Sequence, residues 1–197
     1  GSGWESETLL LASASTGQAK VSLLYDSAAS LTALIQRNPS SGFEVWANRR
    51  ASTANWGTSE LIASSGSDVY DSEAPKLAAT SDGGIMALLK WQPLISTSVS
   101  PSLENWRLQY ITYTDAGGWS SAAELCCSGN YYRGPFAVGS GSNGSVYVMD
   151  QSNARPGSTL PANISLWHFA SLQGTTTTPA DITDSALSGS SSSRFAS

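Results

Sequence analysis

The sequence predicts an all-β chain made of three repeats, each about sixty residues long and holding four strands. Three observations carry that prediction. Trp46, Trp106 and Trp167 sit in related apolar stretches, 60 and 61 residues apart. A second set of tryptophans, Trp4, Trp56 and Trp119, stands at Gly- or Asn-marked turns, and each is followed by a short apolar run: Thr8–Leu11, Glu60–Ala63 and Ala122–Leu125. Finally, no window carries an apolar stripe of helical period for more than two turns, whereas short apolar and alternating runs recur throughout.

The elements follow from these patterns in chain order. Thr8–Leu11 reads as a short apolar strand after Trp4. Lys20–Leu24, Lys76–Ala79 and Phe136–Val138 form one related set, and Leu31–Ile35, Ile85–Leu89 and Val146–Val148 form the next, each bounded by Gly, Asn, Asp or Pro. Trp106–Tyr113 alternates large and polar side chains with period two, the signature of a strand buried on one face. Ser81–Gly84 and Ser140–Gly144 read as hairpin turns, where Gly and Asn supply positive φ. The repeats are placed at about residues 4–60, 61–123 and 124–183 of a single β domain, 1–183. The Ser-rich run after it, 184–197, reads as a flexible tail.

Composition narrows the function. Charged residues are 13% of the chain, and Ser and Thr together supply 52 of its 197 residues, so hydroxyls rather than charges wet the surface. A net charge of −5 argues against a phosphate-tracking basic face. No apolar run reaches the length of a membrane span. One histidine and one adjacent cysteine pair leave no Cys/His zinc set, and no cofactor motif is present. Low charge, three lysines, and the sequons at Asn143 and Asn163 point to an extracellular chain with two candidate glycosylation sites. Gly1-Ser2-Gly3 is not a leader peptide, and a processed leader would leave no trace.

Four antiparallel strands per repeat make the blade of a β-propeller, and a β-trefoil is the alternative three-repeat fold. The run Ala74–Leu88 looks like the inner two strands of a propeller blade. Together with Gly117-Gly118-Trp119 opening the next strand, it resembles the repeats of the fungal fucose-binding propeller lectins. Those lectins share an Arg on one strand, a Glu on the next and a Trp at the turn. Here only Trp56 and Trp119 match the turn position, and the residues after the repeat tryptophans are Ala47, Arg107 and His168, so the triad does not carry over as a set. Three blades do not close a ring, which implies a second copy, a partner segment or a longer protein.

The chemistry expected from the residues is binding rather than catalysis. Seven Trp and seven Tyr in so uncharged a chain suit the apolar faces of sugars, with Arg and carboxylates taking the hydroxyls. Trp56, Trp119, Arg107, Arg49 and Tyr131 are the expected ligand-binding residues, in shallow sites between repeats that gain avidity by repetition. Packing between blades is the alternative role for these tryptophans. A protein-interaction or structural propeller is the second reading. A glycoside hydrolase is the third, with Glu44, Glu104 and Asp150 as its candidate carboxylates. His168 lacks a nucleophile elbow and reads as a strand residue. Asp68, Asp71 and Glu73 lack the spacing of a calcium loop, so no metal is expected. Cys126-Cys127 reads either as a vicinal disulfide, strained because neighbouring Cα atoms lie about 3.8 Å apart, or as two thiols at a strand end.

Overall fold

A chain whose apolar residues come in short alternating runs can bury them only by pairing strands and stacking the resulting sheets. The computed structural model describes residues 10, 19–26, 30–39, 42–51, 55–65, 69–93, 106–126, 136–141, 144–152, 163–172 and 180–181. Its strands are β1 (Ala19–Tyr25), β2 (Leu31–Arg37), β3 (Phe43–Arg50), β4 (Glu60–Ser65), β5 (Val69–Ser72), β6 (Lys76–Ala79) and β7 (Ile85–Pro93), followed by β8 (Arg107–Thr114), β9 (Gly118–Trp119), β10 (Ala123–Cys126), β11 (Phe136–Ser140), β12 (Val146–Ser152), β13 (Asn163–Phe169) and β14 (Ala180–Asp181). All pairings are antiparallel, and they form three sheets. The first runs β1-β2-β3-β4 and the third β11-β12-β13-β14. In the second, β5 and β6 both pair with one edge of β7, and β9 and β10 both pair with one edge of β8. Its six strands thus occupy four positions across the sheet. Pro75, which has no N–H for the ladder, lies in the break between β5 and β6.

The described residues are therefore all-β in three antiparallel sheets, and among them no barrel or ring is closed. The sheets fall slightly later in the chain than the expected repeats: β4 is bonded to β3 in the first sheet, and β10 to β8 in the second. Of the strand expected at Thr8–Leu11, only Leu10 is described. Three turns close alike, with the amide of Asp26, Thr80 or Gly141 donating to the carbonyl four residues on, at Ser30, Gly84 or Ser145. Gly83 and Gly144 hold the positive φ that the turn chemistry predicts.

Stacking fixes the core. The face of the first sheet that meets the second buries Leu34, Phe43, Val45 and Ala47 against Ala87, Leu89, Trp91 and Ile111, with Phe43 stacked on Trp91 at 5.4 Å between ring centres. The opposite face of the second sheet buries Met86, Leu88 and Leu108 against Phe136, Val146, Val148 and Trp167 of the third. Alternate residues of β7 serve alternate cores, and that is why Ile85–Leu89 is apolar at every position instead of every second one. Lys90 lies in the same strand yet is fully buried. Its Nζ is 2.6 Å from Asp150 Oδ1, also fully buried, tying the second sheet to the third. Strands β1, β6 and β11 lie side by side along one edge of the stack. There Lys20 Nζ bonds the Ser72 carbonyl, Ser22 the Pro75 carbonyl and Ser140 the Ala79 carbonyl.

The tryptophans that marked the repeats do not share a register. Trp46 lies four residues before Arg50, the partner of Leu31, and Trp106 seven before Tyr113, the partner of Ile85. Trp167 lies two before Phe169, the partner of Val146. Trp46 and Trp167 both lie on the face turned to a preceding sheet, but no sheet precedes the first among the described residues, so Trp46 stays half-buried while Trp167 joins the core; Trp106, of opposite parity, is fully buried.

Candidate functional site

Where the first and second sheets part at one end, a cleft of about 260 Å³ opens, lined by Asp26, Ser30, Arg49, Ala51, Gly83 and Asp115. Four separate segments supply it. Asp26 and Ser30 open and close the β1–β2 turn, where Asp26 Oδ1 accepts the Ser30 amide at 2.9 Å. Arg49 is at the end of β3, pointing to the second sheet because its partner Thr32 lies on that face. Asp115 follows β8 in the turn that leads to Trp119, with Gly83 packed beside it.

Arg49 organises the cleft. One terminal nitrogen is 3.2 Å from Asp26 Oδ2, the other 3.6 Å from Asp115 Oδ1, and the guanidinium lies 4.1 Å from the centre of the Tyr113 ring. Tyr113 in turn leans on Trp119 at 5.2 Å. The Asp26 carboxylate is nearly buried, whereas the Asp115 side chain is 77% exposed and marks the open side. Arg49 Nε and Thr32 Oγ1 are both buried without a hydrogen-bond partner among the described residues. Both atoms are closed to solvent, and the contacts that hold the guanidinium to the cleft's two carboxylates are made by its terminal nitrogens.

The structure thus brings together two of the expected ligand-binding residues, Arg49 and Trp119, through Tyr113. Trp119 also packs against the core between the first and second sheets. Trp56, half-buried, precedes Gly57, whose amide donates to the Arg49 carbonyl at 3.0 Å. Arg107 does not join them. It begins β8, six residues before Tyr113 and so about 20 Å along the strand, where its guanidinium lies over Trp91 at 5.5 Å. Tyr131, Asn143, Cys127, Glu104 and Asp68 lie outside the described residues, and of Asp71, Cys126 and Asn163 only the backbone is described. Asp150 is committed to Lys90 in the core. His168 stacks on Tyr147 at 4.7 Å on the outer face of the third sheet. Among the described residues, no group of three or more His, Cys, Asp and Glu is placed to hold a metal, and no helix is long and apolar enough to cross a membrane.

A second constellation went unread in the sequence. Arg37 on β2 and Glu44 on β3 are cross-strand partners, with Nε 2.6 Å from Oε2. Trp46 Nε1 donates to the same carboxylate oxygen at 2.8 Å, and Arg37 lies over the Trp46 ring at 5.3 Å. The indole and guanidinium hydrogen bonds hold the Glu44 pKa below the ordinary carboxylate value. The same corner of the second sheet carries Trp91, Arg107 and Gln109 at the matching positions, with Trp91 Nε1 donating to Gln109 Oε1 at 3.0 Å. The sequence did hold a signal: Arg37 and Glu44 flank a turn symmetrically, so a hairpin there makes them neighbours. No protein-family model matches the chain, and no characterised protein matches it in sequence.

Proposed function

We propose that the three sheets are blades of an extracellular, non-catalytic β-propeller of lectin type, and that the cleft at Arg49 binds a carbohydrate. The propeller reading is favoured over a trefoil by topology. Each unit keeps its four strand positions in one sheet, and β1, β6 and β11 gather along one edge. The observation that carries the binding reading is the Arg49 guanidinium, shared between Asp26, Asp115 and the Tyr113 ring in a cleft between two sheets. Its volume is under the roughly 300 Å³ at which drug-sized pockets begin, a fit for one sugar ring. Carboxylates accept from sugar hydroxyls and the guanidinium donates to them, while the Tyr113 ring lies behind the guanidinium and outside the lining. The Arg37–Glu44–Trp46 corner unites residue types that the fucose-binding propeller lectins use, though its Trp lies within a strand and not at a turn.

A glycan array on the purified chain tests this reading. Wild type should bind a defined set of sugars. Asp115→Asn, which changes an exposed side chain, should weaken the signal, and Arg49→Met should abolish it; Arg107→Met should leave it unchanged. Binding that survives Arg49→Met but is lost in Glu44→Gln would move the site to the Arg37 corner. A blank array from folded protein would favour a propeller that binds other proteins.

A further inference from the structure

Strand register shows a rule of contact that the described chain leaves incomplete at both ends. Tyr25, Ala79 and Ser140 face Leu31, Ile85 and Val146 in the first pairing of each sheet, which sets the three sheets in one frame. In that frame Leu34, Leu88 and Met149 are equivalent, on the face each sheet turns to its successor. Leu34 and Leu88 are fully buried by the following sheet, but Met149 is 37% exposed. Leu23, Leu77 and Val138 are likewise equivalent, on the face turned to the predecessor. Leu77 and Val138 pack against the preceding sheet, but Leu23 is 62% exposed, with Val21 and Tyr25 exposed alongside it. Ala33 and Ile164 on these two outer faces are buried, but the exposed parts, Val21, Leu23 and Tyr25 on the first sheet and Tyr147 and Met149 on the third, are the two halves of one contact already made twice within the chain.

We propose that a second copy of the chain supplies both missing halves: the Tyr147–Met149 face of each copy packs on the Val21–Leu23–Tyr25 face of the other, and six sheets close a ring. Apolar residues this exposed on a sheet face mark an interaction surface, and both complementary surfaces are present on every copy. The contact joins unlike faces, so it either closes or runs on as a filament. Strands β1, β6 and β11 contact one another in turn and border a common cavity of about 330 Å³, which suits them to line the axis of such a ring. Two copies give six sheets, within the four to eight of typical propellers, whereas three would give nine. This inference rests on register and burial and is independent of any sugar.

Sedimentation velocity and light scattering test it, using Leu23→Asp and Met149→Asp, both on surfaces exposed in the single chain. Circular dichroism and thermal melting confirm that the variants fold. Wild type should have twice the 20.5 kDa mass of one chain, and each variant should fall to the single mass. An equimolar mixture of the two variants should recover a weaker dimer, because one of its two contacts then joins two unaltered faces. A wild-type monomer, whether its faces are covered by its own termini or left bare, overturns the proposal. So does a ladder of larger species, a dimer that survives either change, or a mixture that stays monomeric.

Discussion

At the residue scale, four residues carry the clearest consequences. Lys90 and Asp150 lie sixty residues apart and neutralise each other with no exposure to water. Removing one charge strands the other, so Lys90→Met should cost about 3–5 kcal/mol, while adding Asp150→Leu should recover most of it; urea unfolding of the single and double variants measures both. Glu44 gives a pH dependence. Its folded pKa is depressed, first by the Trp46 indole bond and then by Arg37, so the stability it contributes is present above the unfolded carboxylate pKa and is lost as pH falls through the folded one. Melting temperatures of wild type should therefore drop more steeply than those of Glu44→Gln across the acid range. Gly144 combines positive φ with a Cβ position that would run into the Asp82 carboxylate. Gly144→Ala should destabilise by about 1–3 kcal/mol, and an unchanged urea midpoint would contradict that placement.

At the element scale, strands and turns were legible because their chemistry is local. Leu31–Ile35, Ile85–Leu89 and Val146–Val148 fall inside β2, β7 and β12, and Ser81–Gly84 is the turn its glycines required. What local pattern could not supply is the partner of each face. The continuous apolar run of β7 is explained only once two sheets are seen to cover it, and tryptophan spacing did not reveal that the three residues occupy different register positions. Leu34 and Leu88 share one position in two successive interfaces. Their alanine variants should each cost about 2–5 kcal/mol, and a near-zero cost at either site in chemical denaturation would break the equivalence.

At the scale of the whole molecule, the candidate site was half legible. Arg49 and Trp119 stood out as an Arg near a turn and a Trp beside glycines. Asp26 and Asp115 did not, since only the stacking of two sheets brings residues 26, 49 and 115 to one cleft. The same stacking leaves two matching faces for a second copy and places the Arg49 cleft between sheets, where repeated weak sites would gain by avidity. The central claim is that the Arg49 guanidinium is what meets the ligand. Its Nε–H proton, assigned in a nitrogen-15 spectrum by comparison with Arg49→Met, reports on that contact directly. Titration with the strongest sugar from the array should move this resonance saturably while the Arg107 Nε–H stays in place. A sugar that binds without moving it, or that moves Arg107 instead, would contradict the account.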